Sequence, residues 1–232
     1  MRKQIPNIIT LCNLTCGVIA TVYAASGLLL PAALFILLGI FFDFFDGLAA
    51  RLLHVESKMG AELDSLADVV TSGVAPAIIL CGILGTAEGL PWLRYAALLT
   101  PALAAYRLAR FNLDERQHHG QFLGLPVPAN GLIWVGLAII SSTGEARLST
   151  PLLIAAAIIS LLTAILMVTD LPMFSLKFNF KDLSWRSNWV RYLFLVGCLV
   201  LIIVLPRYSL SLIILWYILL SICTQRKEAS HE

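Results

Sequence analysis

The chain has 232 residues, 59% of them hydrophobic and 13% charged, with a mean hydropathy of +0.87 and a formal net charge of +2. A soluble domain carries roughly a quarter of its residues as charges, so this composition excludes one and indicates an all-α, polytopic integral membrane bundle. So small a net charge gives no reason to expect a nucleic-acid partner.

Apolar runs near residues 8–30, 31–53, 68–87, 92–111, 125–142, 150–169, 190–205 and 208–223 each approach the ~20 residues that cross a bilayer. About eight transmembrane helices are expected, the second continuing past the membrane. The last two runs have the alternative of a single re-entrant hairpin. No connection is long or low in complexity, so residues 1–232 form one membrane domain.

The first run follows Arg2 and Lys3 and precedes Ala24-Ala25-Ser26, an arrangement that imitates a secretory signal. Asn7, Thr10, Asn13 and Thr15 interrupt it with polar side chains, which favours a first transmembrane helix instead.

At the end of the second run stands Asp43-Phe-Phe-Asp46-Gly47-Leu-Ala-Ala50-Arg51, followed after eight residues by Gly60-Ala-Glu-Leu-Asp64-Ser-Leu-Ala-Asp68. At 3.6 residues per turn Asp43 and Asp46 share a face with Gly47 and Ala50, while Ser57, Gly60, Asp64, Asp68 and Thr71 line one stripe of the next segment. Two carboxylate pairs can therefore meet across one crevice. Ionised groups inside or beside hydrocarbon are costly unless they bind something, and clustered negative charges need cations. Oxygen-only ligands suit Mg²⁺, Mn²⁺ or Ca²⁺ rather than zinc, so this segment reads as a binuclear hard-metal site.

Farther along, Pro76, Pro101, Pro126 and Pro128 imply kinked or broken helices around an internal cavity. The polar connections near 112–124 and 175–189 hold Asp114, Glu115, His118, His119 and Asp182, read as solvated loop residues. Cys12, Cys16, Cys81, Cys198 and Cys223 lie in apolar segments without metal-ligand spacing and read as small core residues. Of the 16 basic residues, Arg2, Lys3, Arg51, Lys58, Arg107, Arg110, Arg116, Lys177, Lys181, Arg186, Arg191, Arg226 and Lys227 fall on one set of helix ends, and only Arg94, Arg147 and Arg207 on the other. By the positive-inside bias both termini and the acidic segment face the cytoplasm of a cell membrane.

The fixed spacing from Asp43 to Asp68 resembles the signature of the CDP-alcohol phosphatidyltransferases, with each fixed position filled across 26 residues. The resemblance implies a six-helix core, a cytoplasm-facing site, and transfer of a phosphatidyl or related group from a CDP-linked donor to an alcohol with release of CMP. It further implies Asp43, Asp46, Asp64 and Asp68 as ligands of two Mg²⁺ or Mn²⁺ ions, with Asp68 also the general base. Metal binding makes a carboxylate less basic, so Asp68 is expected to hold its ion weakly or to act mainly by orienting the hydroxyl. Gly47 and Gly60 would let the nucleotide approach the backbone, with close helix packing as their bland role. Arg51 would offer its planar fork to a phosphate or else anchor the helix at the membrane surface. Ser57, Asn7 and Thr10 fall where the family contacts the CDP moiety, and the family implies a homodimer.

Pro6-Asn-Ile-Ile-Thr-Leu-Cys-Asn13-Leu-Thr-Cys-Gly17, Arg107-Leu-Ala-Arg110-Phe-Asn112, Phe122-Leu-Gly-Leu-Pro126-Val-Pro128-Ala and Leu166-Met-Val resemble segments of the membrane-type phosphatidylserine synthases within that family. The donor would then be CDP-diacylglycerol and the acceptor L-serine, whose carboxylate Arg107 and Arg110, three apart on one helix, would clamp. Orientation in the membrane is the competing explanation for both arginines. Two other products of the same chemistry, phosphatidylglycerophosphate and phosphatidylinositol phosphate, stand as alternatives. A cation-coupled transporter is the alternative of another class, but its mark would be matching acidic or broken segments in two halves, and the motif acids all lie in the second and third segments.

Overall fold

The computed structural model describes residues 4–113, 122–143, 148–173 and 185–228. Among these residues lie eight long helices: α1 Ile5–Ala25, α2 Leu29–Leu52, α3 Lys58–Leu84, α4 Leu99–Leu113, α5 Val127–Ser142, α6 Thr150–Val168, α7 Trp185–Val204 and α8 Ser209–Glu228. A 3₁₀ segment, Pro91–Leu98, leads into α4. Helices α1, α2, α3 and α6 are each long and apolar enough to cross a membrane. The expected helix count is met, and the last two runs are two helices joined by residues 205–208.

The surface is inverted relative to a soluble protein. Large apolar side chains such as Leu34, Leu38, Leu162, Ile203 and Val204 face outward, where lipid would meet them, while much of the interior is built from Ala20, Ala32, Ala33, Ala75, Ala97 and Ala104. Small interior residues let backbones approach where lipid removes any hydrophobic drive for helices to associate.

Helix α3 begins at Lys58, about ten residues ahead of its apolar run, because Ser57 caps it: its extended backbone turns the hydroxyl to accept from the Gly60 amide at 3.0 Å. Asp64 and Asp68 thus lie on the same continuous helix that later enters the apolar core.

That helix carries a π turn over Val69–Val74, closed by a five-residue bond from the Ala75 amide to the Val70 carbonyl. Pro76 has no amide to give Ser72, so the α-helical ladder cannot run through this point and the turn widens. The widened turn buries Thr71, Ser72 and Gly73 completely or nearly so. Thr71 is wedged between α1 and α2: a Cβ built on Gly17 would lie 2.8 Å from the Thr71 Cα, and one on Gly39 would lie 2.5 Å from its Cγ2. The Thr71 hydroxyl donates to the Asn13 carbonyl at 3.1 Å, locking three helices together one turn beyond Asp68.

Prolines elsewhere start helices more than they kink them. Pro128 sits in the first turn of α5 and Pro126 is its N-cap. Just before them a two-stranded antiparallel pair, β1 Phe122–Leu123 with β2 Pro172–Met173, ties the start of α5 to the end of α6. Gly124 makes this possible, since its φ is +69° and a Cβ there would sit 2.5 Å from the Met167 carbonyl oxygen.

A candidate metal and nucleotide site

The start of α1, the end of α2, the start of α3 and the end of α4 converge at one end of the bundle. Asn7 on α1 approaches Gly60 on α3, and Asn112 on α4 donates to the Ser65 hydroxyl of α3 at 3.0 Å. Carboxylate oxygens of Asp43, Asp64 and Asp68 lie within 4.8 Å of one another in this junction. Asp46 is buried next to them, beside the Thr10 hydroxyl and close enough to Asp64 and Asp68 to feel their charge. The two carboxylate pairs read from helical periodicity do face each other.

Like charges at about 4 Å repel by on the order of 4 kcal/mol per pair at the effective dielectric of a partly buried site. Asp46 Oδ2 and Asp64 Oδ1 are buried with no hydrogen-bond partner among the described residues. Buried anionic oxygens left unsatisfied in this way, all of them hard donors, fit a divalent cation of the Mg²⁺ or Mn²⁺ kind. The metal dependence that the sequence resemblance implies and this donor set agree.

The glycines of the acidic segment separate into two kinds. A Cβ on Gly47 would meet nothing within 4 Å, so close helix packing does not explain that residue, and its backbone borders open space. A Cβ on Gly60 would lie 3.2 Å from the Ser57 hydroxyl and 3.4 Å from Asn7 Oδ1, a tighter fit shaped by the helix cap. Ser57 therefore has a structural task whatever else it binds. Arg51 is exposed at the mouth and folds back to donate from Nε to the Gly47 carbonyl at 3.0 Å.

The two arginines of α4 part company. Arg110 donates to the Val168 carbonyl at 3.1 Å and pairs with Asp170, so it fastens α4 to the end of α6. Arg107 is only 9% exposed, near enough to Asp68 for their charges to interact, and its Nε has no partner among the described residues. It lies 6.0 Å over the Phe111 ring.

Two residues beside the cluster were not singled out as site residues from sequence. Asn13 is fully buried against Asp68, and neither atom of its carboxamide makes a well-formed hydrogen bond. A polar residue recurring one turn after Thr10 on an otherwise apolar helix is the signal that points to it. Tyr217, on α8, is buried beside Ser221 and within electrostatic range of Arg107, more than a hundred residues away in the chain, which no local pattern announces. His118, His119, Asp114, Glu115 and Asp182 lie outside the described residues, as do Arg2, Lys3, Arg116, Arg147, Lys177 and Lys181.

A separate cavity of about 790 Å³ opens at the other end of the bundle, between Gly27, Ile83, Glu88, Ser141 and Ser149. Glu88 is the only ionisable residue among the described residues that line it, and the carboxylate cluster lies at the opposite end.

Comparison with known proteins gives a consistent result. The family model described as CDP-alcohol phosphatidyltransferase matches residues 3–174. The CDP-diacylglycerol–serine O-phosphatidyltransferase of Bacillus subtilis is 39% identical over 137 residues, covering 59% of this chain and 76% of that protein. The protein of the same name from Helicobacter pylori strain 26695 is 30% identical over 221 residues, 94% of this chain and 89% of its own. That of Methanocaldococcus jannaschii is 31% identical over 214 residues, 92% and 90% of the two chains.

Proposed function

From the premise that this chain belongs to the CDP-alcohol phosphatidyltransferase family, we propose that it transfers the phosphatidyl group of CDP-diacylglycerol to the hydroxyl of L-serine, giving phosphatidylserine and CMP. The observation that carries this reading is the buried placement of Arg107 beside Asp68, next to the carboxylate cluster. Serine has a carboxylate and a hydroxyl on adjacent carbons, so docking the carboxylate on Arg107 delivers the hydroxyl to Asp68.

Asp68 accepts the hydroxyl proton as the serine oxygen forms its bond to the lipid-linked phosphorus; the bond from that phosphorus to the bridging oxygen breaks, and CMP leaves. Asp43, Asp46, Asp64 and Asp68 would hold two divalent ions, Mg²⁺ or Mn²⁺. Bound there, such ions neutralise pyrophosphate charge and stabilise attacking and leaving oxygens. Gly47 gives the nucleotide phosphates room against the backbone of α2, Arg51 offers them a charged fork, and Asn7, Thr10, Ser57 and Gly60 form the wall on the α1 and α3 side. Arg110 serves the fold through Asp170 rather than the acceptor.

Residues 1–232 act as one unit, with both termini and the site on the cytoplasmic side of the cell membrane, as the distribution of basic residues supports. A homodimer is the assembly expected from the family.

Purified protein in detergent micelles would be given CDP-diacylglycerol with serine, glycerol 3-phosphate or inositol phosphate in turn, and CMP followed. Serine is expected to give the highest rate. A faster reaction with either phosphorylated alcohol rejects serine as acceptor, and no CMP with any of the three rejects transferase activity. A transporter would need a sealed vesicle to show itself, whereas this assay uses none.

A further inference from the structure

Helices α3 and α4 run antiparallel and meet at two places, one on each side of Asp68 and Arg107. Toward the core, a Cβ built on Gly73 of the π turn would lie 3.3 Å from the Ala104 Cβ and 3.6 Å from the Pro101 Cα, so the two backbones approach there across small residues. Toward the mouth, the Asn112 carboxamide donates to the Ser65 hydroxyl at 3.0 Å, and that hydroxyl in turn donates to the Ala61 carbonyl at 3.1 Å. The Ser65 oxygen is thus used both as acceptor and as donor, which fixes its direction.

The two contacts are eight residues apart on each helix, Ser65 to Gly73 on α3 and Ala104 to Asn112 on α4, so one register satisfies both. Asp68 and Arg107 each stand one residue from the midpoint of their interval, and both are buried, 8% and 9% exposed. The register therefore sets the spacing between carboxylate and guanidinium. On its other side the last turn of α4 is held by Arg110, which donates to the Val168 carbonyl of α6 at 3.1 Å. Phe111, between these two anchors in the chain, places its ring 6.0 Å below the Arg107 guanidinium. Lipid gives packed helices no hydrophobic drive to keep a register, which leaves it to small-residue packing and to polar bonds of this kind.

We propose that Ser65 and Asn112 are positioning residues for the acceptor step: their hydrogen bond fixes α4 against α3 at the mouth and so holds the Arg107 guanidinium at a set place relative to the Asp68 carboxylate. The inference rests on the serine reading above and deepens it, because a carboxylate docked on Arg107 delivers its hydroxyl to Asp68 at only one spacing of the two helices. A displacement of about 1 Å leaves the carboxylate docked but takes the hydroxyl out of line, and misplacement on that scale costs a factor of up to about 100 in rate.

The test compares wild type, Asn112→Ala, Ser65→Ala, the double variant and Ser65→Thr, following CMP release in detergent micelles as serine and CDP-diacylglycerol are varied in turn, with Tm measured on each protein. Either alanine variant is expected to lower kcat with serine about tenfold, with both KM values within threefold of wild type and Tm within a few degrees. The double variant should lose less than twofold more than the worse single one, since both substitutions remove the same bond. Ser65→Thr keeps the hydroxyl and should stay within twofold of the wild-type kcat. A kcat within twofold of wild type in both alanine variants, full multiplication of their losses, or an equal loss in Ser65→Thr and Ser65→Ala would overturn the proposal. A fall in Tm of more than about 10 °C in both alanine variants would overturn it too, by assigning the bond to folding. If wild type prefers another alcohol, the serine reading fails by itself; the same cycle run with that alcohol then decides the positioning role, coupled losses supporting it and independent ones overturning it.

Discussion

Replacing Gly47 with alanine adds a methyl group to α2 at a place where no atom lies within 4 Å, whereas the same replacement at Gly17 of α1 drives a methyl into α3. In a helix interior alanine is favoured over glycine by about 0.8–1 kcal/mol. With nothing to clash against, Gly47→Ala should keep that gain and raise Tm by roughly 2–4 °C. Its cost should fall on substrate, because the new methyl occupies space assigned to the nucleotide, and the KM for CDP-diacylglycerol should rise at least tenfold. At Gly17 the added Cβ would lie 2.8 Å from the Thr71 Cα and 2.9 Å from its backbone nitrogen, in addition to the hydroxyl. Overpacking of this kind costs about 1–3 kcal/mol or more, which outweighs the propensity gain and leaves a net loss on the order of 1–2 kcal/mol. Adding Thr71→Ala should recover only part of it, since the backbone atoms remain. Unfolding in detergent followed by the fluorescence of the five tryptophans, alongside CMP release, reads both effects. A Gly47→Ala protein with wild-type KM for the nucleotide lipid would refute the assignment of that space. A Gly17→Ala protein as stable as wild type would refute the wedge.

Asp68→Asn should abolish turnover while leaving Tm within a few degrees of wild type; activity near wild type at saturating metal would remove Asp68 from its role. Chelation with EDTA should stop CMP release, with recovery on adding Mg²⁺ or Mn²⁺ but not Zn²⁺, and persistence of activity after exhaustive chelation would dismiss the metal site. Arg110→Ala should lower stability by about 0.2–1 kcal/mol, the range for a largely exposed ion pair, and leave the KM for serine unchanged. Arg107→Ala should do the reverse, raising that KM by tenfold or more. Equal effects of the two arginines on serine would contradict their separation.

Much of the site was legible because its chemistry is written in local spacing. Asp43, Asp46, Asp64 and Asp68 repeat at helical intervals, so facing pairs follow from geometry once the segments are helical, and the four do converge. The early start of α3 shows in the helical stripe from Ser57 to Thr71 but not in hydropathy, since its first eleven residues mix Lys58, Glu62 and Asp64 among apolar ones. The capping role of Ser57 depends on the extended backbone that precedes the helix. Pro76 announced an interruption of the helix but not its form; whether the ladder kinks or widens into a π turn depends on Thr71 finding its slot between Gly17 and Gly39, a tertiary fact. Arg107 and Arg110 looked alike in sequence, three apart on one helix. What separates them is Asp170, sixty residues away, which claims one and leaves the other to the interior. Tyr217 gave no sign because a tyrosine in an apolar helix has ordinary packing as its usual role.

Within two turns of α2, Phe41, Phe44 and Phe45 point outward, 55%, 62% and 39% exposed, while Asp43 and Asp46 point in. A single helix width of about 10 Å therefore separates the acyl-chain region from the reacting phosphates, and a diacyl substrate need never leave its leaflet to be used. Turnover should then follow the mole fraction of the nucleotide lipid in the plane of the bilayer or micelle. Diluting that lipid with inert detergent would slow the enzyme even at constant bulk amount, while adding buffer would not.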